Sequence, residues 1–144
     1  MKLKEIQEAW ERDSCIDRSE LGEESLRIPQ LHSKYYNIFS DERMSLRTIE
    51  RSLNNLKRIK YEYYNGTISQ DELESQGWEP NPLKILKSDI PMYIDADKEV
   101  QELQARMDLQ SDKVEFVESI IKSLPARGYQ IKAAIDWERF KVGA

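Results

Sequence analysis

Leu3, Ile6 and Trp10 recur at steps of three and four, the spacing that puts side chains on one side of an α-helix. The polar run Glu11 to Ser14 ends that short amphipathic helix. A second start signal follows at Asp17 or Ser19, whose short side chains can cap a helix, while Glu20, Glu23 and Glu24 suit its positive end. Pro29 is expected to break or kink this element, or to open the next one as its first helical residue. From there to Tyr64 the apolar positions Leu31, Tyr35 and Ile38, then Leu46, Ile49, Leu53, Leu56, Ile59 and Tyr63, again step by three or four. One helix of about 36 residues would reach roughly 54 Å at 1.5 Å per residue, too long for a compact monomer of this size. The seam is interrupted at Glu42 and resumes at Leu46 in a coiled-coil-like pattern.

Asn65-Gly66 stops the helix, and Thr67 to Pro91 reads as a loop-rich insert punctuated by Gly77, Pro80, Pro82 and Pro91 and carrying Asp71, Glu72, Glu74 and Glu79. Ile85-Leu86 and Met92-Tyr93-Ile94 form a β-like patch, so a short edge strand or pairing arm is expected near residues 83–94. Asp95 or Asp97 then caps a second long helix whose seam runs Val100, Leu103, Met107, Gln110, Val114, Val117, Ile121, Leu124, with only Gln110 polar. Pro125 and Gly128 are read as punctuation before a final amphipathic helix, Tyr129 to Phe140. The expected fold is mainly α: long helices packed in a small bundle. Its regions are 1–66, a 67–94 insert and 95–144, in one domain overall.

Charge changes this picture at one place. The chain has a net charge of −5 and a pI near 5.1, yet Arg43 to Tyr64 holds six cations (Arg43, Arg47, Arg51, Lys57, Arg58, Lys60) against two anions, Glu50 and Glu62. At 100° per residue Arg43, Arg47, Arg51, Arg58 and Tyr61 fall in a stripe about 80° wide, opposite Ile49, Leu53, Leu56, Ile59 and Tyr63. Cations mixed with rings suit a flexible polyanion with exposed bases, since guanidinium and ammonium groups hold phosphates while rings stack on bases. Tyr61 and Tyr64 are the stacking candidates, Tyr63 a core residue. Lys60 breaks the plan by falling on the apolar side, where its stem would have to snorkel or the helix end would have to border a solvated opening.

Other chemistries find no support in the sequence. One cysteine, Cys15, and one histidine, His32, are too few for a disulfide framework or a zinc site. Five dispersed glycines form no phosphate loop, and no nucleophile–base pair stands out, so an enzyme is not expected, nor a cofactor. Asp95, Asp97 and Glu99 read as capping residues rather than a metal cluster. No membrane span or signal segment is evident, which makes the cytoplasm the default compartment. With 39% hydrophobic residues a modest core is affordable, and apolar surface is left over for contacts between subunits.

The pieces Cys15-Ile16-Asp17, Ser33-Lys34-Tyr35, Arg58-x-Lys60-x-Glu62-Tyr63-Tyr64-Asn65-Gly66, Ala96-Asp97-Lys98-Glu99-Val100 and Arg127-Gly128-Tyr129-x-Ile131-Lys132 occur in this order over most of the chain. Together they resemble the UvsY-type recombination mediator proteins of T-even-like bacteriophages. The resemblance implies a helical protein forming a closed ring-like homo-oligomer, a hexamer or heptamer. Such a protein binds single-stranded DNA in the host cytoplasm, meets the phage recombinase and the single-strand-binding protein, and helps the first replace the second. It also implies DNA contact at Arg58 and Lys60 and self-association through the C-terminal region, here Val114, Val117, Ile121, Ile131, Ile135, Trp137 and Phe140. The insert matches poorly. The competing reading of the same residues is a coiled-coil structural or adaptor oligomer whose arginine stripe binds an acidic protein.

Overall fold

The computed structural model describes residues 1–143. It contains five α-helices: α1 (Leu3–Asp13), α2 (Leu21–Asn65), α3 (Gln70–Gln76), α4 (Ile90–Ala96) and α5 (Lys98–Lys141), with one 3-10 turn at Lys87–Asp89. The mainly helical expectation holds. Helix α2 starts at Leu21, and neither expected cap holds it: Glu20 O accepts the Glu24 N–H at 2.9 Å, while the Asp17 carboxylate closes the preceding turn by accepting from the Ser19 N–H (3.0 Å) and hydroxyl (2.6 Å).

Both prolines expected to divide the long helices lie inside them instead. Pro29 is exposed, as is Ser25, whose carbonyl loses its partner, so that group is open to water. The buried positions Glu24, Leu31 and Tyr35 keep helical spacing across Pro29. In the same way Val117, Ile120, Leu124, Arg127 and Ile131 stay buried at steps of three and four across Pro125 and Gly128. Gly128 has no positive φ and does not act as a stop; a Cβ there would meet only Ile28 Cδ1, at 3.7 Å. Continuous burial of one face outweighs the local cost of the prolines.

The insert also departs from expectation. Ser69 Oγ accepts the Glu72 N–H at 3.2 Å, and Gly77 adopts φ 70° with its N–H returning to Glu74 O, so a capped helix, α3, forms where a loop was expected. No strand forms among the described residues: Ile85-Leu86 stays irregular ahead of the 3-10 turn, and Met92-Tyr93-Ile94 lies in α4. Pro91 in the first turn of α4 explains the difference, since it presets a helical φ and offers no donor to a sheet. Ile90, at its start, is fully buried.

The chain divides into two compact units. The first comprises Met1–Met44 and the stretch from Ser111 onward, with a core of Ile6, Leu31, Tyr35, Val117, Ile120 and Leu124 on which Trp10 packs edge-on to Tyr35 at 5.3 Å. Three polar ties hold it. Asp13 accepts from Arg27 (3.0 Å), Lys34 (2.6 Å) and the Tyr35 hydroxyl (2.8 Å), Glu42 pairs with Lys113 (3.2 Å), and buried Arg127 bonds Glu24 (2.8 Å) and the carbonyls of Ser14 and Cys15. The second unit, Ser45–Gln110, buries Ile49, Leu53 and Ile59 of α2, Leu73 of α3, Ile90 of α4 and Val100 of α5. Gln110, the polar seam position, is buried as well.

Candidate nucleic-acid interface

Within the second unit, α2 turns Ile49, Leu53 and Ile59 inward, and the 3.6-residue period therefore turns Arg47, Arg51, Arg58 and Tyr61 outward. All four are exposed. Arg58 bonds Glu62 at 3.0 Å and Asn55 at 3.3 Å, an exposed i, i+4 pair that holds the guanidinium only weakly. Lys57 is half-buried beside an open recess of about 340 Å³ that it shares with Asp95 and Asp108. Arg43 belongs to the first unit, half-buried, its guanidinium 5.0 Å from the centre of the Phe39 ring.

Lys60 lies elsewhere. Its side chain is 6% exposed, and the ammonium pairs with Asp97 (3.0 Å) and Glu99 (3.4 Å) while standing 3.9 Å over the Trp78 ring. Asp97 is the cap of α5, its Oδ1 accepting from the N–H groups of Glu99 (2.9 Å) and Val100 (3.2 Å), and its Oδ2 accepts the Tyr64 hydroxyl at 2.6 Å. Glu99 also accepts Trp78 Nε1–H at 2.9 Å. Burial pushes the Asp97 carboxyl up, but hydrogen bonds from Tyr64, Lys60 and the Val100 amide, with the Lys60 charge, outweigh it and hold the group below the usual carboxylate value. Burial first, then the bond to Asp97, raises the Tyr64 hydroxyl. The two residues expected at a phosphate and a base, Lys60 and Tyr64, are thus engaged inside the unit, joining α2 to α5 and to the segment after α3. Tyr63 sits in the same aromatic group, 5.2 Å from Tyr64 and 5.3 Å from Trp78, its hydroxyl donating to Glu79 O.

The residues expected at subunit contacts also separate. Val114, Val117 and Ile131 are buried in the chain itself, Ile121 and Ile135 are half-buried, and Trp137 and Phe140 are open, stacked at 5.5 Å with an interplanar angle of 21°. Sequence reading placed the arginines and missed the partners of Lys60. A signal for them existed: a cation on the apolar side of a helix calls for a buried carboxylate, and Asp97 was already marked as a cap.

These features define an all-helical class of protein whose outer helix face is lined with arginine over an apolar inner face. The chain belongs to the UvsY family: the family model described as "Recombination, repair and ssDNA binding protein UvsY" matches residues 9–144. It is 25% identical over 143 residues to the recombination protein uvsY of Enterobacteria phage T4, covering 99% of both chains. The fold is similar to crystal structures of the bacteriophage T4 recombination mediator protein UvsY. One matches with TM-score 0.86 at 24% identity and 99% coverage of each chain, another with TM-score 0.85 at 23% identity, covering 97% of this chain and 99% of the other. No helix among the described residues is long and apolar enough to cross a membrane.

Proposed function

We propose that the chain is a non-enzymatic recombination mediator that holds single-stranded DNA on the outer face of α2 and promotes loading of the phage recombinase onto strands covered by single-strand-binding protein. The carrying observation is the segregation in α2: Arg47, Arg51, Arg58 and Tyr61 exposed, Ile49, Leu53 and Ile59 buried, in a chain of a single-stranded-DNA-binding family. Guanidinium groups hold phosphates, and Tyr61, 41% exposed, offers a ring to a base. Lys60 and Tyr64 serve this face by positioning the end of α2, and Lys57 flanks it within the same unit.

The C-terminal region, 95–144, joins copies into a closed homo-oligomer through the open aromatic end of α5, Trp137 and Phe140. Several weak strand contacts then act together, and avidity raises the affinity without any new contact. Preference for one state of the strand supplies the work of clearing its coat. Anisotropy of a labelled oligothymidylate tests the site with wild type and Arg47→Ala/Arg51→Ala/Arg58→Ala. The triple variant is expected to bind more weakly, with a salt dependence shallower by roughly two in log–log slope, at unchanged native mass. Equal affinity and equal slope would remove the assigned face, and no binding by wild type would remove the function.

A further inference from the structure

Nearer its start, in the first unit, α2 carries a second group of π surfaces. His32, Tyr36, Phe39 and Arg43 follow one another at steps of four, three and four, which keeps them within about 60° of one helix face. Their rings and guanidinium form a ladder. His32 and Tyr36 are nearly parallel at 5.7 Å and 14°, Tyr36 and Phe39 stand 5.9 Å apart, and Arg43 lies 5.0 Å from the Phe39 centroid. Phe39 packs on the core of the unit and anchors the ladder, whereas His32 and Tyr36 are exposed, Tyr36 by 45%. His32 also borders an apolar recess of about 450 Å³ walled by Ile28, Pro29, Leu124 and Pro125.

We infer that this ladder is a base-stacking platform for single-stranded DNA, a contact that rests on the strand-binding function proposed above and extends it to a set of residues outside the arginine face. Three features choose this occupant. His32 and Tyr36 offer exposed aromatic surface, and stacking on such surface tolerates a base of any identity. The ladder ends in a cation, so a backbone that follows the bases finds a phosphate partner at Arg43. On the exposed flank of the ladder Pro29, Ser33 and Ser40 carry no charge, and the carboxylate on the other flank, Glu42, is buried, paired with Lys113. Duplex DNA does not fit the proposal, because its bases are already stacked on one another.

The test compares wild type, Tyr36→Ala, His32→Ala/Tyr36→Ala, Tyr36→Phe and Arg51→Ala on two strands of equal length, an oligothymidylate and an abasic phosphodiester strand. Anisotropy gives affinity and salt slope, native mass the assembly, and circular dichroism the helix content. Loss of Tyr36 is expected to weaken oligothymidylate binding at least about fivefold, with the salt slope unchanged and abasic binding unaffected. Tyr36→Phe is expected to retain the affinity, since it keeps the ring. If Arg51→Ala weakens both strands while Tyr36→Ala weakens neither, the platform is overturned and the arginine face stands. If Tyr36→Ala alters native mass and not strand affinity, the ladder is a contact between copies, which also overturns it. If wild type binds neither strand, the underlying function falls first.

Discussion

Lys60 is the residue on which the second unit's polar interior turns. With Asp97 at 3.0 Å and only 6–7% of either side chain exposed, removal of Lys60 leaves the Asp97 charge buried and without its cation. Lys60→Met is expected to destabilise the unit by about 3–5 kcal/mol in urea unfolding, whereas Arg58→Ala, which removes an exposed pair, should cost about 0.5 kcal/mol or less. Asp97 adds a pH dependence. Its folded carboxyl lies below the ordinary aspartate value of about 3.8, so its stabilisation is fully present above that value and is lost as pH falls through the lower folded one. Wild type is therefore expected to lose stability steeply below about pH 4, and Asp97→Asn, weaker throughout, should show a shallower acid limb in urea titrations. The exposed residues were readable in the sequence because helical periodicity alone sorts Arg47 and Arg51 from Ile49 and Leu53. Lys60 was not, because its partners lie 37 and 39 positions away and nothing local reports them.

Among the elements, the long helices were readable and their interruptions were misread for one reason. Proline and glycine rules describe what a segment does alone, and α2 and α5 bury a face that continues past Pro29, Pro125 and Gly128. The penalty of Pro29 is still present in the folded chain. Pro29→Ala should restore the hydrogen bond to Ser25 and raise the thermal midpoint, by a gain of up to about 3 kcal/mol. A lower midpoint would show that the proline ring itself packs usefully against the recess it lines. Helix α3 shows the opposite failure, since Ser69 and Gly77 supply both of its caps, yet it is only seven residues long and buries just Leu73. With so little packing, the caps carry it: Ser69→Ala is expected to cost about 1 kcal/mol locally and to speed amide exchange within α3 without changing that of α5.

For the whole molecule, burial divides the residues first expected at subunit contacts. Val114, Val117 and Ile131 complete the chain's own interior, leaving Trp137 and Phe140, 53% and 71% exposed, as surface that a second copy can cover. Trp137→Ser/Phe140→Ser should lower the native mass while helix content by circular dichroism stays at the wild-type level. The same variant should bind oligothymidylate more weakly although every arginine is present, because avidity is lost. Retained mass would place the subunit contact elsewhere. A heptad seam cannot by itself tell an interior from an interface, since both ask for the same apolar spacing; only the packing of α1 and α2 against α5 decides.

The cluster around Lys60 also constrains how such a chain can diverge. Lys60, Tyr64, Trp78, Asp97 and Glu99 share hydrogen bonds and one ammonium, so their substitution effects are coupled rather than additive. Drift at Asp97 alone leaves the buried ammonium to half-exposed Glu99, and drift at Lys60 alone leaves the Asp97 carboxylate without its cation. Exchange of both for apolar residues would also strip α5 of its cap and leave the Tyr64 hydroxyl without its acceptor, so position 97 tolerates only a side chain that still accepts hydrogen bonds, whatever stands at position 60.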